Sequence, residues 1–180
     1  FNISNAGRFR TGWPERQAQA GKTSRDLNIH LHQDGILMKT GKLYGVGIGP
    51  GDPQYLTLRA ADVLRSVDVV FTVISPNASN SVSQSVVDYL QPRGEVRLQV
   101  FSMSRDKTIR EEQVRANAEA IIAELRAGHD CAFATLGDAM TYSTFGYVLE
   151  IIRKAIPNLD LEVIPGITSF ATLTAKAGTV

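Results

Sequence analysis

An α/β domain, with a mainly parallel sheet flanked by helices, is the fold class this sequence predicts. Three observations predict it. From Lys42 onward, short β-branched runs alternate with longer segments of helical spacing. Two of those runs, "VDVVFTV" (67–73) and "DCAFATL" (130–136), stay largely apolar without alternation, as strands covered on both faces do. Finally, "GVGIGPGDP", "LGDAMTYST" and "IPGITS" each follow a strand-like run and lead into a helix, the order of a mainly parallel sheet.

The elements follow in order. "KLYGVGIG" (42–49) is the first strand of this pattern, and "TLRAADVLRS" (57–66) has helical spacing. The run 67–73 is a buried strand, and "SVSQSVVDYL" (81–90) is a helix closed by "QPRG". "EVRLQV" (95–100) is a strand. "TIREEQVRANAEAIIAELRAG" (108–128) is the longest helix, with Gly128 at its C-terminal cap and ordinary intrahelical charge pairs on its surface. The strand 130–136, the helix "TFGYVLEIIRKAI" (144–156) and the strand "LDLEVI" (159–164) complete the alternation, and a further helix opens after "PGITS".

Residues 1–37 differ: they are polar, dotted with glycine and without sustained periodicity. Such a stretch buries too little apolar surface to offset its ordering entropy, so it is expected to be disordered or foreign to the native fold. The domain is then expected over 38–165, with 166–180 opening a second domain that is truncated here.

Composition narrows the function. With 19 basic against 18 acidic residues and a net charge of +1, nothing in the bulk charge recruits nucleic acid. No apolar stretch approaches the roughly 20 residues that span a bilayer. The single cysteine, Cys131, excludes an intrachain disulfide and a cysteine-built metal site, and its apolar surroundings predict a buried, inert thiol. A reducing, cytoplasmic setting is expected, with no protein metal site.

The glycine loop at 45–53 invites comparison with a dinucleotide fingerprint, and fails it. Counting from Gly45 and Gly47 the third glycine position is Pro50, and from Gly47 and Gly49 it is Asp52. Pro50 has no N–H to give a phosphate, and Asp52 repels one. No Gly-Lys-Ser/Thr follows, so a P-loop is excluded as well. The loop therefore offers backbone and one carboxylate to a neutral or cationic ligand, or Asp52 simply caps the next helix. In a parallel sheet all three glycine-bearing turns fall on the carboxyl edge, where they can converge on one crevice.

Taken together, "GVGIGPGDPQYLTLRA", "GDAMTYST" and "VIPGITS", in this order and spacing, resemble the tetrapyrrole methylases, enzymes that use S-adenosylmethionine. "YST" and "FSMSRDK" resemble most the branch that methylates C20 of precorrin-2 or its cobalt-loaded counterpart. The resemblance covers about residues 41–180 and implies the N-terminal domain of that fold, without its second domain. It implies a cofactor pocket at Pro50, Leu136, Gly137, Asp138, Thr141, Thr168 and Ser169, and a macrocycle near Gly49, Gly51 and Asp52. It also implies S-adenosylmethionine as methyl donor, a small-molecule tetrapyrrole as substrate, and a homodimer at full length. Ala139 stands where the family usually has proline, which leaves that turn without a fixed φ.

The residue chemistry suits such a transfer. A sulfonium donor is already activated, so positioning matters more than a strong acid or base. Asp138 could accept hydrogen bonds from the cofactor or cap the helix after it, and Thr168 and Ser169 could donate to it or cap the last helix. Arg105, Lys107 and Arg110 could meet substrate carboxylates or form a solvated charged turn. His30, His32 and His129 have no evident catalytic setting. Other readings are another tetrapyrrole methylase, or a cofactor-binding fragment without activity. A nicotinamide-dependent oxidoreductase is disfavoured by the glycine register.

Overall fold

The computed structural model describes residues 29–31, 37–102 and 104–178. Five parallel strands form the sheet: β3 (Leu43–Gly47), β4 (Val69–Ile74), β5 (Glu95–Val100), β6 (Cys131–Thr135) and β7 (Leu161–Ile164), in the order β5-β4-β6-β3-β7. A separate two-stranded antiparallel ladder joins β1 (Ile29–Leu31) to β2 (Leu37–Lys39). Part of that ladder falls within residues 1–37, where no regular structure was expected; the rest of that segment, with His32, lies outside the described residues.

The first three helices form where a side-chain cap meets an apolar stripe. Thr57 opens α1 (Leu58–Ser66) by accepting from the Ala60 N–H at 3.1 Å, and Ala60, Val63 and Leu64 are its buried face. Ser81 does the same for α2 (Val82–Tyr89) through the Gln84 N–H at 3.0 Å. Asp106 opens α3 (Lys107–Arg126), whose Ala118, Ile121, Ile122 and Leu125 repeat at helical spacing and are buried. The helix stops two residues short of the expected Gly128 because that glycine takes φ 90°, a left-handed cap. α4 (Phe145–Ala155) buries Phe145, Val148, Leu149 and Ile152, and α5 (Ser169–Ala177) follows β7.

The strands alternate their side chains between two apolar layers. On β6, Cys131 and Phe133 join the layer that α3 and α4 cover, while Ala132 and Ala134 join the layer under α1 and α2. Phe133 sits edge-on to Phe101 at 6.0 Å between ring centres and against Phe145 at 5.4 Å. Complete burial pushes the Cys131 thiol up to about 12, so it stays protonated and inert.

The helix placement creates the crevice. The chain leaves β3 toward α1 on one face and leaves the neighbouring β6 toward α4 on the other. Two adjacent parallel strands whose connections depart to opposite faces leave a cleft at their carboxyl ends. A second parting lies between β6 and β4, whose paired register runs only to Phe71 and Phe133. There the Val73 N–H donates to Ser83 Oγ at 3.0 Å and Ser81 Oγ donates to the Val73 carbonyl at 2.7 Å, replacing the missing ladder.

Candidate functional site

Three turns meet at the carboxyl edge and are bonded to one another in sequence. Gly49 and Gly137 exchange both backbone hydrogen bonds, at 3.2 and 2.7 Å, which ties the turn after β3 to the turn after β6. Both glycines take left-handed φ, 74° and 72°, a conformation that disfavours a Cβ. The Gly166 N–H then donates to Asp138 Oδ2 at 3.0 Å, tying the second turn to the one after β7. Beneath these bonds the backbones nearly touch. A Cβ on Gly47 would lie 2.6 Å from the Gly166 nitrogen and 2.7 Å from the Gly137 oxygen.

Asp138 is the centre of this arrangement. Its Oδ1 accepts from the Met140 N–H at 2.9 Å, the Thr141 N–H at 3.0 Å and the Thr141 hydroxyl at 3.0 Å. Partial burial disfavours its charge, but the hydrogen bonds from Met140, Gly166 and Thr141 outweigh that cost and hold the carboxyl below the usual range. The carboxylate thus fixes a turn that lacks the family's proline, while Ala139 packs fully buried into the apolar layer of α3 and α4. Asp138 does not cap α4. That task falls to Ser143, whose Oγ accepts from the Phe145 N–H at 3.1 Å and donates to Thr135 Oγ1 at 3.2 Å.

Of the remaining candidates, Asp52 takes the capping role left open by the sequence: its Oδ1 accepts from the Gln54 N–H at 2.9 Å, opening the short 3-10 turn Pro53–Tyr55. Pro50 and Gly51 are half-buried beside it, Gly51 with φ 117°. Leu136 is exposed, within 4.0 Å of the space a Gly51 Cβ would fill. Thr168 precedes α5 in extended conformation with no capping bond from its side chain, and among the described residues neither its hydroxyl nor that of Ser169 has a hydrogen-bond partner. Gly137 borders open space: the nearest atom to a Cβ there would be Thr168 Cα at 4.0 Å. Room at Gly137, two free hydroxyls and a carboxylate with one oxygen lightly engaged suit a polar, positively charged ligand.

The sequence reading missed Ser143, Thr135, Gly47 and Gly166, which shape the site by contact rather than by a recognisable chemical group. Arg105 lies in the turn from β5 to α3, and Lys107 and Arg110 in the first turn of α3, on the same edge of the sheet; Lys107 pairs with Glu111 at 3.5 Å and Arg110 donates to the Ser104 carbonyl. His129 precedes β6 at the opposite edge, 2.6 Å from Glu124. Among the described residues no three His, Cys, Asp or Glu side chains gather to hold a metal ion, and no helix is long and apolar enough to cross a membrane.

The fold has a predictable acid response. Asp138 and Glu162 both titrate below their ordinary range when folded, Glu162 through hydrogen bonds from Lys42 and Arg59. Unfolded carboxyls titrate near pH 4. A depressed folded value means the stabilisation is complete above that pH and fades as pH falls through the folded values. Thermal melts from pH 7 downward should therefore stay level to about pH 5 and then drop. In Asp138→Asn the drop should be shallower.

Comparison with known proteins agrees with this geometry. The family described as Tetrapyrrole (Corrin/Porphyrin) Methylases matches residues 42–180. The chain is 41% identical over 138 residues to a cobalt-precorrin-2 C(20)-methyltransferase of Salmonella typhimurium, covering 76% of this chain and 57% of that protein. It thus spans little more than half the length of that relative. A cobalamin synthesis related protein (CobF) of Corynebacterium diphtheriae superposes with TM-score 0.63 at 26% identity, covering 78% of this chain and 59% of that one. A uroporphyrin-III C-methyl transferase of Thermus thermophilus, solved with S-adenyl homocysteine, superposes with TM-score 0.52 at 26% identity, covering 76% and 48%. The family match over residues 42–180 and the sequence likeness lead to one conclusion: the chain belongs to the tetrapyrrole methylases.

Proposed function

We propose that this protein transfers a methyl group from S-adenosylmethionine to C20 of precorrin-2 or its cobalt-containing counterpart, in cobalamin biosynthesis. The observation that carries the proposal is the bonded trio of turns at the crevice, in a chain 41% identical to a protein of that activity. On this reading Pro50, Leu136, Gly137, Asp138, Thr141, Thr168 and Ser169 line the cofactor pocket, and Gly49, Gly51 and Asp52 face the macrocycle. Residues 38–165 form the first domain, and 166–180 open a second. Assembly as a homodimer and a cytoplasmic location belong to the same proposal.

When bound, S-adenosylmethionine would supply an electrophilic methyl on its sulfonium, which a substrate carbon would take up in line as the carbon–sulfur bond breaks and S-adenosylhomocysteine leaves. What the chain contributes is orientation. Gly137 leaves the room a ligand needs beside the backbone, and Thr168 and Ser169 offer hydroxyl donors there. Asp138, held ionised, adds a negative field that favours a cation, and its bonds to Thr141 and Gly166 keep the pocket walls from drifting.

Incubation of the full-length protein with methyl-labelled S-adenosylmethionine and anaerobic precorrin-2, or its cobalt form, tests the proposal. Carbon NMR should show label at C20. Label at another ring position would assign a different member of the family, and no transfer by a folded, cofactor-binding protein would leave a binding role only.

A further inference from the structure

Tyr142 stands in a conformation that its neighbours impose. Its φ is 51°, a left-handed value that a side chain with a Cβ rarely adopts. Thr141 before it is held by Asp138 through both its N–H and its hydroxyl. Ser143 after it is held by Thr135 and by the Phe145 N–H. The backbone between two clamps cannot relax without breaking one of them. The ring gains no packing in return: it is fully exposed, at 104%. A strained backbone that presents an unpacked aromatic ring beside a crevice is an arrangement that functional sites retain.

The ring is not isolated. Leu136 and Met140 of the same turn are 43% and 58% exposed, and Leu136 reaches toward Gly51 of the first turn. The turn thus exposes three large apolar side chains, one of which reaches toward the glycine loop, while its Asp138 is bonded to the turn after β7. Resting on the reading given under Proposed function, we propose that Tyr142 is a substrate-contact residue that packs its ring on a face of the tetrapyrrole. A flat macrocycle with apolar faces and a rim of carboxylates matches an aromatic surface of this kind. The clamps fix where the ring stands before substrate arrives, so little side-chain order is lost on binding.

Two titrations on the full-length protein test this: anaerobic precorrin-2 followed by its absorbance, and S-adenosylhomocysteine followed by calorimetry. Tyr142→Ala and Tyr142→Gly should each weaken precorrin-2 binding about tenfold, Tyr142→Phe should restore it, and S-adenosylhomocysteine affinity should not change. The glycine variant removes the backbone strain together with the ring, so its agreement with the alanine variant assigns the effect to the ring. The inference is overturned if Tyr142→Ala binds precorrin-2 like the unaltered protein, or if Tyr142→Gly recovers full affinity. It is also overturned if Tyr142→Phe falls as far as alanine, or if the substitutions change only the oligomeric state. An unaltered protein that binds S-adenosylhomocysteine but no precorrin-2 overturns the tetrapyrrole reading itself, and this inference with it.

Discussion

Replacing Gly166 with alanine will destabilise the protein by about 3 kcal/mol, the upper range of overpacking costs. A Cβ there would stand 2.7 Å from the Gly47 carbonyl carbon and 2.8 Å from its Cα, and would overlap the Gly137 carbonyl oxygen. All three neighbours are backbone, so no side chain can swing aside. Gly47 is anchored in β3, and Gly137 by two hydrogen bonds to Gly49. The only relief is for the third turn to lift away, which breaks the bond from the Gly166 N–H to Asp138. Urea unfolding should show the loss in midpoint, and S-adenosylhomocysteine binding should disappear with it. Gly146→Ala is the matching control. It lies on the exposed side of α4 with nothing within 4 Å of a new Cβ, so alanine there should stabilise by up to roughly 1 kcal/mol.

Asp138→Ala will weaken S-adenosylhomocysteine binding by about a hundredfold and lower stability by about 2 kcal/mol, since one substitution removes hydrogen bonds to an ionised acceptor from four donors. The Gly166 N–H, half-buried, is left without its acceptor, and Thr141 loses both of its anchors. Asp138→Asn should fall between: one amide position can still accept from Thr141, while its NH2 faces the Gly166 N–H, donor against donor. Asp52→Ala, which removes a single bond from the Gln54 N–H, should cost about 1 kcal/mol and leave Asp138's turn intact. Calorimetry and thermal melts on the three variants check this ranking. Equal effects of Asp52→Ala and Asp138→Ala would mean that the hydrogen bonds of Asp138 are not what organises these turns.

Much of the fold was legible because it rests on local pattern. The β-branched runs became the parallel strands, and each apolar stripe became a buried helix face. Boundaries moved by a residue or two where hydrogen bonding decides and composition does not: the strand expected over 42–49 pairs only as Leu43–Gly47, since Gly49 leaves the ladder to bond Gly137. The turn Pro53–Tyr55 was not anticipated, because it depends on one side-chain bond from Asp52. The fate of Asp138 was beyond sequence reasoning for a different reason. Its partner Gly166 lies 28 residues away, and only the strand order β6-β3-β7 brings the two turns within reach of each other. The close approach of Gly47 to Gly166 has the same origin, and a glycine in a strand carries no mark of the backbone it will meet. "YST" stood out as a resemblance, and its physical content emerged in the structure: Thr135 and Ser143 clamp the turn while Tyr142 is left outside.

A crystal structure of the full-length protein with S-adenosylhomocysteine tests the central claim most directly. The adenosyl group should lie at the carboxyl edge, against the Gly137 backbone and the hydroxyls of Thr168 and Ser169, with the Asp138–Gly166 bond unbroken. A ligand bound elsewhere on the sheet, or one whose binding pulls Asp138 away from Gly166, would contradict it.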